Sequence, residues 1–248
     1  MLYSPVIFSQ FSDISAAQST RHGGVSQPPY ASLNLGKSSP DRPEDVLENR
    51  RRFFGALGFD VAQIAMSGQV HGVGIRVIEH ADFEVGYDAM ITNVRGIVVA
   101  VTVADCTPIL IYDAENQAVA AIHAGWRGTV AQIVSQTLTK MHTEYGTKAE
   151  SCFAYIGTCI SEVSFEVGAE VAQQFDETFV LPAEKNDKFF VNLKAANAAQ
   201  LLDFGIPKIQ IEVSPHCTLL QSENYFSYRA DAGTTGRMMA AIGLKQQI

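Results

Sequence analysis

The chain has 248 residues, 47% hydrophobic and 18% charged, with a formal net charge of −8. That composition belongs to a globular protein rather than a disordered or fibrous one, and the length suits one large unit, read here as a single catalytic domain over 1–248. The acidic balance and the scatter of basic residues argue against nucleic acid and membranes as partners, and nothing in the sequence demands more than a monomer or weak oligomer.

No basic residue precedes Arg21, and Ser4, Ser9, Gln10 and Asp13 interrupt the early apolar stretch, so no secretory signal is expected. The first forty residues are rich in turn formers, Arg21-His22-Gly23-Gly24 and Gln27-Pro28-Pro29-Tyr30 among them. Pro43 suits a first helical position, and Val46, Leu47, Arg50, Phe53, Phe54 and Leu57 follow at helical spacing up to Gly58. Arg50-Arg51-Arg52 lies within that pattern as a solvated face or, on the alternative reading, an anion patch. Strands are predicted over 90–92, 96–104, 108–112 and 118–123.

A helix follows Gly128, with Thr129 as N-cap, Val130, Ile133, Val134, Leu138 and Met141 on its buried face, and Gly146 at its end. His142, in its last turn, reads as a favourable C-terminal charge or a surface residue. A short strand over 153–157, a short helix over 167–175 and a helix over 194–203 come next, and Ile209, Ile211 and Val213 alternate with polar residues as in a half-buried strand. Helices and strands intersperse without a strict βαβ rhythm, which makes the class α+β with a mixed sheet. No apolar run is long enough for a membrane span. Cys106, Cys152, Cys159 and Cys217 form no Cys-x-x-Cys pair and read as reduced thiols of a cytoplasmic protein.

The chemistry concentrates in Gln69-Val70-His71-Gly72, Ala104-Asp105-Cys106-Thr107-Pro108 and His123-Ala124-Gly125-Trp126-Arg127-Gly128. Each places one metal-ligating residue beside small residues at or near a strand end. Two imidazoles and a thiolate suit Zn²⁺ with a fourth position open to water, the mark of a catalytic rather than a structural site. Copper can occupy the same three ligands. A histidine at a strand–loop junction is equally at home as a hydrogen-bonding residue, and the three lie too far apart in sequence for spacing to decide. Asp105 is a charge costly to bury without a partner, and it stands as an orienting group or a proton shuttle beside Cys106. The turn from Gly125 to Gly128 either seats an anion at a helix N-terminus, aided by Arg127, or merely makes the turn with Trp126 on the core. Arg21, Asn34, Tyr228 and Arg229 are further polar residues in turn-rich stretches. His-Glu-x-x-His, Gly-x-Ser-x-Gly, a Walker loop and Gly-x-Gly-x-x-Gly are all absent, and His80-Ala81-Asp82 lacks the Pro-Cys-x-x-Cys of the nucleobase deaminases.

These segments, together with Thr20-Arg21-His22-Gly23-Gly24-Val25-Ser26, Ser32-Leu33-Asn34-Leu35-Gly36, Asp88-Ala89-Met90-Ile91-Thr92, Ile156-Gly157-Thr158-Cys159-Ile160, Phe226-Ser227-Tyr228-Arg229 and Thr235-Gly236-Arg237-Met238, carry a resemblance. Over essentially its whole length the chain resembles the bacterial family first labelled multicopper polyphenol oxidase or laccase-like, also called peptidoglycan editing factor or purine nucleoside phosphorylase. It departs at Thr158, where that family often has Pro, and at 161–164, where the family is richer in Cys, which argues against a role for Cys159.

The resemblance implies a four-layer α/β/β/α sandwich with mixed sheets, related to cysteine hydrolases of the deamidating-toxin type. It implies zinc held by His71, Cys106 and His123, with purine nucleosides and phosphate as substrates. The implied reactions are phosphorolysis of adenosine, inosine and methylthioadenosine, and deamination of adenosine, with Arg21, Asn34, Arg127, Tyr228 and Arg229 as substrate or anion ligands. Three other readings use the same residues. One is a metal-free Cys–His amidohydrolase, with Cys106 as nucleophile, acting on a peptidoglycan precursor. Another is a binding protein with an inert structural zinc, which needs a fourth ligand such as Cys159 or His216. The weakest is a copper-dependent polyphenol oxidase, because its copper centres need many histidines, typically in His-x-His pairs, and this chain has six with no such pair.

Overall fold

Runs of Val, Ile and Ala, buried on both faces, form the middles of two stacked sheets in a computed structural model that describes residues 2–37, 39–184 and 187–246. In chain order the strands are β1 (Leu2–Tyr3), β2 (Ile14–Ser19), β3 (Ile64–Gly68), β4 (Ile75–Val77), β5 (Phe83–Val85), β6 (Ala89–Thr92), β7 (Val98–Val103), β8 (Thr107–Asp113), β9 (Ala118–Ala124), β10 (Cys152–Ile156), β11 (Glu166–Gly168), β12 (Val180–Pro182), β13 (Lys188–Val191), β14 (Ile211–Val213) and β15 (Met238–Leu244). The helices are α1 (Pro43–Ala56), α2 (Trp126–Val130), α3 (Ile133–Tyr145), α4 (Ala169–Ala172) and α5 (Leu193–Phe204). The first sheet runs β1-β2-β15-β7-β3-β5 and the second β14-β10-β8-β9-β6-β4, while β11-β13-β12 make a small third sheet. Both large sheets are mixed: β3 lies parallel to β7 and β15 antiparallel to it, and β10 lies parallel to β14 and antiparallel to β8.

Strand periodicity sorts the side chains into layers. Val99 and Val101 of β7 and Ala240 and Ile242 of β15 meet Leu110 and Tyr112 of β8 and Val119 and Ala121 of β9 between the sheets. The alternate residues Val98, Ala100, Met239 and Ala241 face Phe53 and Phe54 of α1. On the far side Ile109, Ile111, Ala120 and Ile122 lie under Ile133, Val134, Leu138 and Met141 of α3 and Leu201 of α5. The result is the expected α/β/β/α sandwich. Among the described residues no helix is long and apolar enough to cross a membrane.

Several local expectations change. Thr129 does not cap a long helix: Gly125, extended, precedes the five-residue α2, and the chain breaks at Gln132 (φ 62°) before α3 begins. Thr129 instead turns its hydroxyl back to the Gly125 carbonyl at 3.0 Å. The stretch 167–175 begins as strand, because Val167 pairs with Phe189, and only Ala169–Ala172 is helical. Ile209 is 88% exposed, because the chain makes a 3-10 turn at Lys208–Gln210 before β14 starts. Arg50 leaves the solvated face assigned to its cluster and is buried, while Arg51 and Arg52 stay exposed.

Candidate metal and catalytic site

Three neighbouring strands of the second sheet assemble most of the site. β9 runs antiparallel to both β6 and β8, with Pro108 opposite His123 and Ala89 opposite Ile122. The end of β9, the start of β6 and the turn into β8 therefore share one edge. His123 follows Val119 and Ala121 on the inner face, Asp88 precedes Met90, and Cys106 precedes Pro108 and Leu110, so the period of two aims all three between the sheets.

His71 arrives from the first sheet, on the loop after β3, in a left-handed conformation (φ 59°). One carboxylate fastens that loop to the second sheet. Fully buried Asp88 accepts the backbone N–H groups of Val70 (3.2 Å), His71 (3.0 Å) and Gly72 (2.7 Å), and its Oδ1 also meets His123 Nδ1 at 2.8 Å. Burial alone would push the Asp88 carboxyl up, but His123 and these N–H groups outweigh it and hold it below the ordinary range.

With Nδ1 engaged, His123 turns Nε2 toward Cys106. The ligand atoms of His71, Cys106 and His123 all lie within 4.8 Å of one another, and the two imidazole rings cross at 85°. Burial opposes a thiolate at Cys106, yet the charge and hydrogen bonds of His123, and then of His71, bring its pKa down to about 6. Burial likewise opposes an imidazolium at His123, but Cys106 and Asp88 raise it to about 9. Each group thus favours the charged form of the other, a thiolate at Cys106 and an imidazolium at His123. Gly125 keeps the space clear: a Cβ there would stand 3.1 Å from His71 Cδ2 and 3.3 Å from Cys106 Sγ. Among the described residues no fourth His, Cys, Asp or Glu joins the group, and Cys159 and His216 stay outside it.

The group opens on a cavity of about 620 Å³. Asp105, Tyr228 and Arg229 line it. Asp105, at φ 84°, accepts Thr218 Oγ1 at 2.6 Å and the Arg229 backbone N–H at 2.7 Å, so it holds the 228–229 loop beside Cys106. Arg21, Asn34 and Arg127 stand outside the lining. Arg21 donates to the Ala31 and Ser222 carbonyls, and Asn34 is buried between Asp41 and the backbone of Gly36 and Arg237. Arg127 stacks on Trp126, 4.3 Å above the ring.

Sequence reasoning gave no role to Asp88, Lys37 or Arg237, and it read Arg50 with Arg51 and Arg52 as a solvated face or, alternatively, an anion patch. Among the described residues Lys37, Arg50 and Arg237 join Arg229 to make four cations around the cavity against the single carboxylate of Asp105, in a chain of net charge −8. No local pattern marks Asp88: a carboxylate ahead of Ala89-Met90-Ile91-Thr92 gives no sign of the His123 it meets across the sheet.

Comparison with known proteins follows the same lines. Residues 15–245 match the family model described as multi-copper polyphenol oxidoreductase laccase. The chain is 37% identical over 250 residues to a purine nucleoside phosphorylase of Bacteroides thetaiotaomicron, covering 94% of this chain and 93% of that one. It is 40% identical over 235 residues to a purine nucleoside phosphorylase of Deinococcus radiodurans, covering 93% and 89%. The crystal structure of the Bacillus licheniformis hypothetical protein YfiH superposes with a TM-score of 0.91 at 30% identity, covering 96% of this chain and 94% of that one.

Proposed function

The chain belongs to the multi-copper polyphenol oxidoreductase laccase family, and within it we propose an enzyme that acts on purine nucleosides through the His71–Cys106–His123 centre. Its reactions are phosphorolysis of adenosine, inosine and methylthioadenosine, and deamination of adenosine. The purine nucleoside phosphorylase names of the relatives support the substrate class. The observation that carries the reading is a three-ligand group open on one side to a cavity of about 620 Å³, a volume suited to a small-molecule ligand.

The donor set fits zinc. Two imidazoles and a thiolate converge, Asp88 stands behind His123 in the carboxylate–histidine arrangement that fixes tautomer and ring orientation, and Gly125 leaves room at the centre. Copper accepts the same donors. When bound, such an ion supplies Lewis acidity and an activated water at neutral pH.

The protein's own groups do the rest. His71, Cys106 and His123 hold the ion, Asp88 fixes the loop that carries His71, and Asp105 keeps Tyr228 and Arg229 turned to the cavity. Tyr228 and Arg229 contact the nucleoside. Phosphate orientation, first assigned to Arg127, passes to cations that face the cavity.

A second reading draws on the Cys106–His123 thiolate–imidazolium pair with Asp88 behind it, the arrangement of a metal-free cysteine amidohydrolase acting on a peptidoglycan precursor. Chromatography of adenosine incubated with zinc-loaded protein, with and without phosphate and a chelator, separates the two. Phosphate-dependent adenine marks phosphorolysis, inosine marks deamination, and either should vanish on chelation. Absence of product under every condition overturns the nucleoside reading in favour of the hydrolase, whose activity survives a chelator.

A further inference from the structure

A second hollow of about 460 Å³ adjoins the catalytic cavity, and the two share Lys37 and Arg50. Arg50 is only 7% exposed. Its Nε and Nη2 both donate to the Leu35 carbonyl, at 3.0 and 2.7 Å, and one neutral carbonyl does not balance a guanidinium. Burial lowers its pKa to about 10, which leaves it charged at neutral pH. Among the described residues no carboxylate comes within ion-pair distance of it.

The acids bordering the two hollows are engaged elsewhere. Asp41 accepts from Ser26 and Asn34, Asp82 pairs with Arg76 through both oxygens, and Asp105 accepts from Thr218 and the Arg229 backbone. Two more cations gather at the same turn. Leu35 N–H donates to the Arg237 carbonyl, and Arg237 Cγ fills the space 2.6 Å from where a Gly36 Cβ would stand. Among the described residues the Arg237 guanidinium donates only to the Thr235 and Gly236 carbonyls, and Lys37 lies 5.6 Å from the Phe83 ring centre without an acidic partner. A buried guanidinium without a counter-ion, on the wall of a cavity and beside two further cations, is a site complementary to an anion.

We propose that Arg50, Lys37 and Arg237 form a phosphoryl-binding subsite of the cavity, separate from the His71–Cys106–His123 group. The forked guanidinium donors and the ammonium suit a dianion with several oxygens. Two sources supply that chemistry: inorganic phosphate as co-substrate, and the phosphate of a nucleoside monophosphate. The choice between those two rests on the nucleoside reading; the subsite itself rests on the uncompensated charge.

Calorimetric titration of the full chain with inorganic phosphate, with AMP and with adenosine reads the subsite without turnover. Both phosphoryl ligands should bind the unaltered protein. Arg50→Gln should weaken them by roughly tenfold to a hundredfold, and Lys37→Glu by about tenfold or more. Because Arg50 also ties α1 to Leu35, near-ultraviolet circular dichroism checks its folding. Lys37 is exposed and makes no hydrogen bond among the described residues, so its reversal tests charge with little risk to the fold. Phosphate and adenosine binding together assign the subsite to the co-substrate, whereas AMP displacing phosphate and binding more tightly than adenosine assigns it to a nucleotide. Unchanged affinities in both variants, or no binding of phosphate and AMP to the unaltered protein, overturn the subsite. Variant-sensitive phosphate binding without nucleoside turnover keeps the subsite and overturns the nucleoside reading. Turnover with an unchanged KM for phosphate in both variants does the reverse.

Discussion

The thiolate region and the cationic region of the cavity are built on opposite terms. Around Cys106 the groups complete one another: Asp88 takes four donors, His123 lies between Asp88 and Cys106, and Asp105 takes Thr218 and the Arg229 backbone. Around Arg50 the charges rest on carbonyls and rings and, among the described residues, meet no acid. A set whose members satisfy one another keeps its shape without a ligand and collapses when one member goes. A set left uncompensated changes mainly in what it binds.

The most damaging test of that contrast is Cys106→Ala, expected to lower nucleoside turnover by about 10³-fold or more. It should also strip the metal, measured by atomic emission; full zinc content with full turnover would break the assignment. Next comes Asp88→Asn, which leaves four donors facing a poorer acceptor. Urea unfolding should show a loss of about 3–5 kcal/mol, and metal affinity should drop roughly 10–100-fold. A smaller change, in rate alone, is expected from alkylation of Cys106 by iodoacetamide in metal-free protein. Because the thiolate is the nucleophile, the rate should rise with pH through a midpoint near 6 and level off above it. A midpoint at the ordinary thiol value of about 8.5 would contradict the imidazolium pairing. The smallest effect belongs to Arg51→Ala, one residue from Arg50 but exposed. Stability should stay within about 0.5 kcal/mol and phosphate affinity should not move. A loss there comparable with Arg50→Gln would erase the distinction between buried and solvated cations.

The inner strands were legible where β-branched residues crowd together, as in β7, or where turn residues set off two apolar runs, as between β8 and β9. β15 was not. Its Met-Met-Ala-Ala-Ile-Gly-Leu is buried throughout yet holds a single β-branched residue, so neither alternation nor composition marks it as strand. The three ligands stood out because each combines a soft or borderline donor with a neighbouring glycine or turn. Asp88 did not, because its role follows from the register of β6 against β9, which no local pattern records. Arg50 was within reach. Successive helical residues turn by about 100°, so a residue four after Val46 and three before Phe53 shares their buried face, while Arg51 and Arg52 rotate away. Reading the three arginines as one cluster concealed that.

The position of β15 bears on the order in which the protein becomes competent. The strand is the last along the chain, yet it lies in the interior of the first sheet, between β2 and β7. A ribosome releases residues 71–123, and with them His71, Cys106 and His123, long before Met238 emerges, so the second sheet can form while the first still has a gap at its centre. Arg237, at the threshold of that strand, arrives with it. A nascent chain that has not yet released β15 therefore carries the Cys106 thiol and both imidazoles without the completed cavity wall, and insertion of that late strand is the step that closes the first sheet over them.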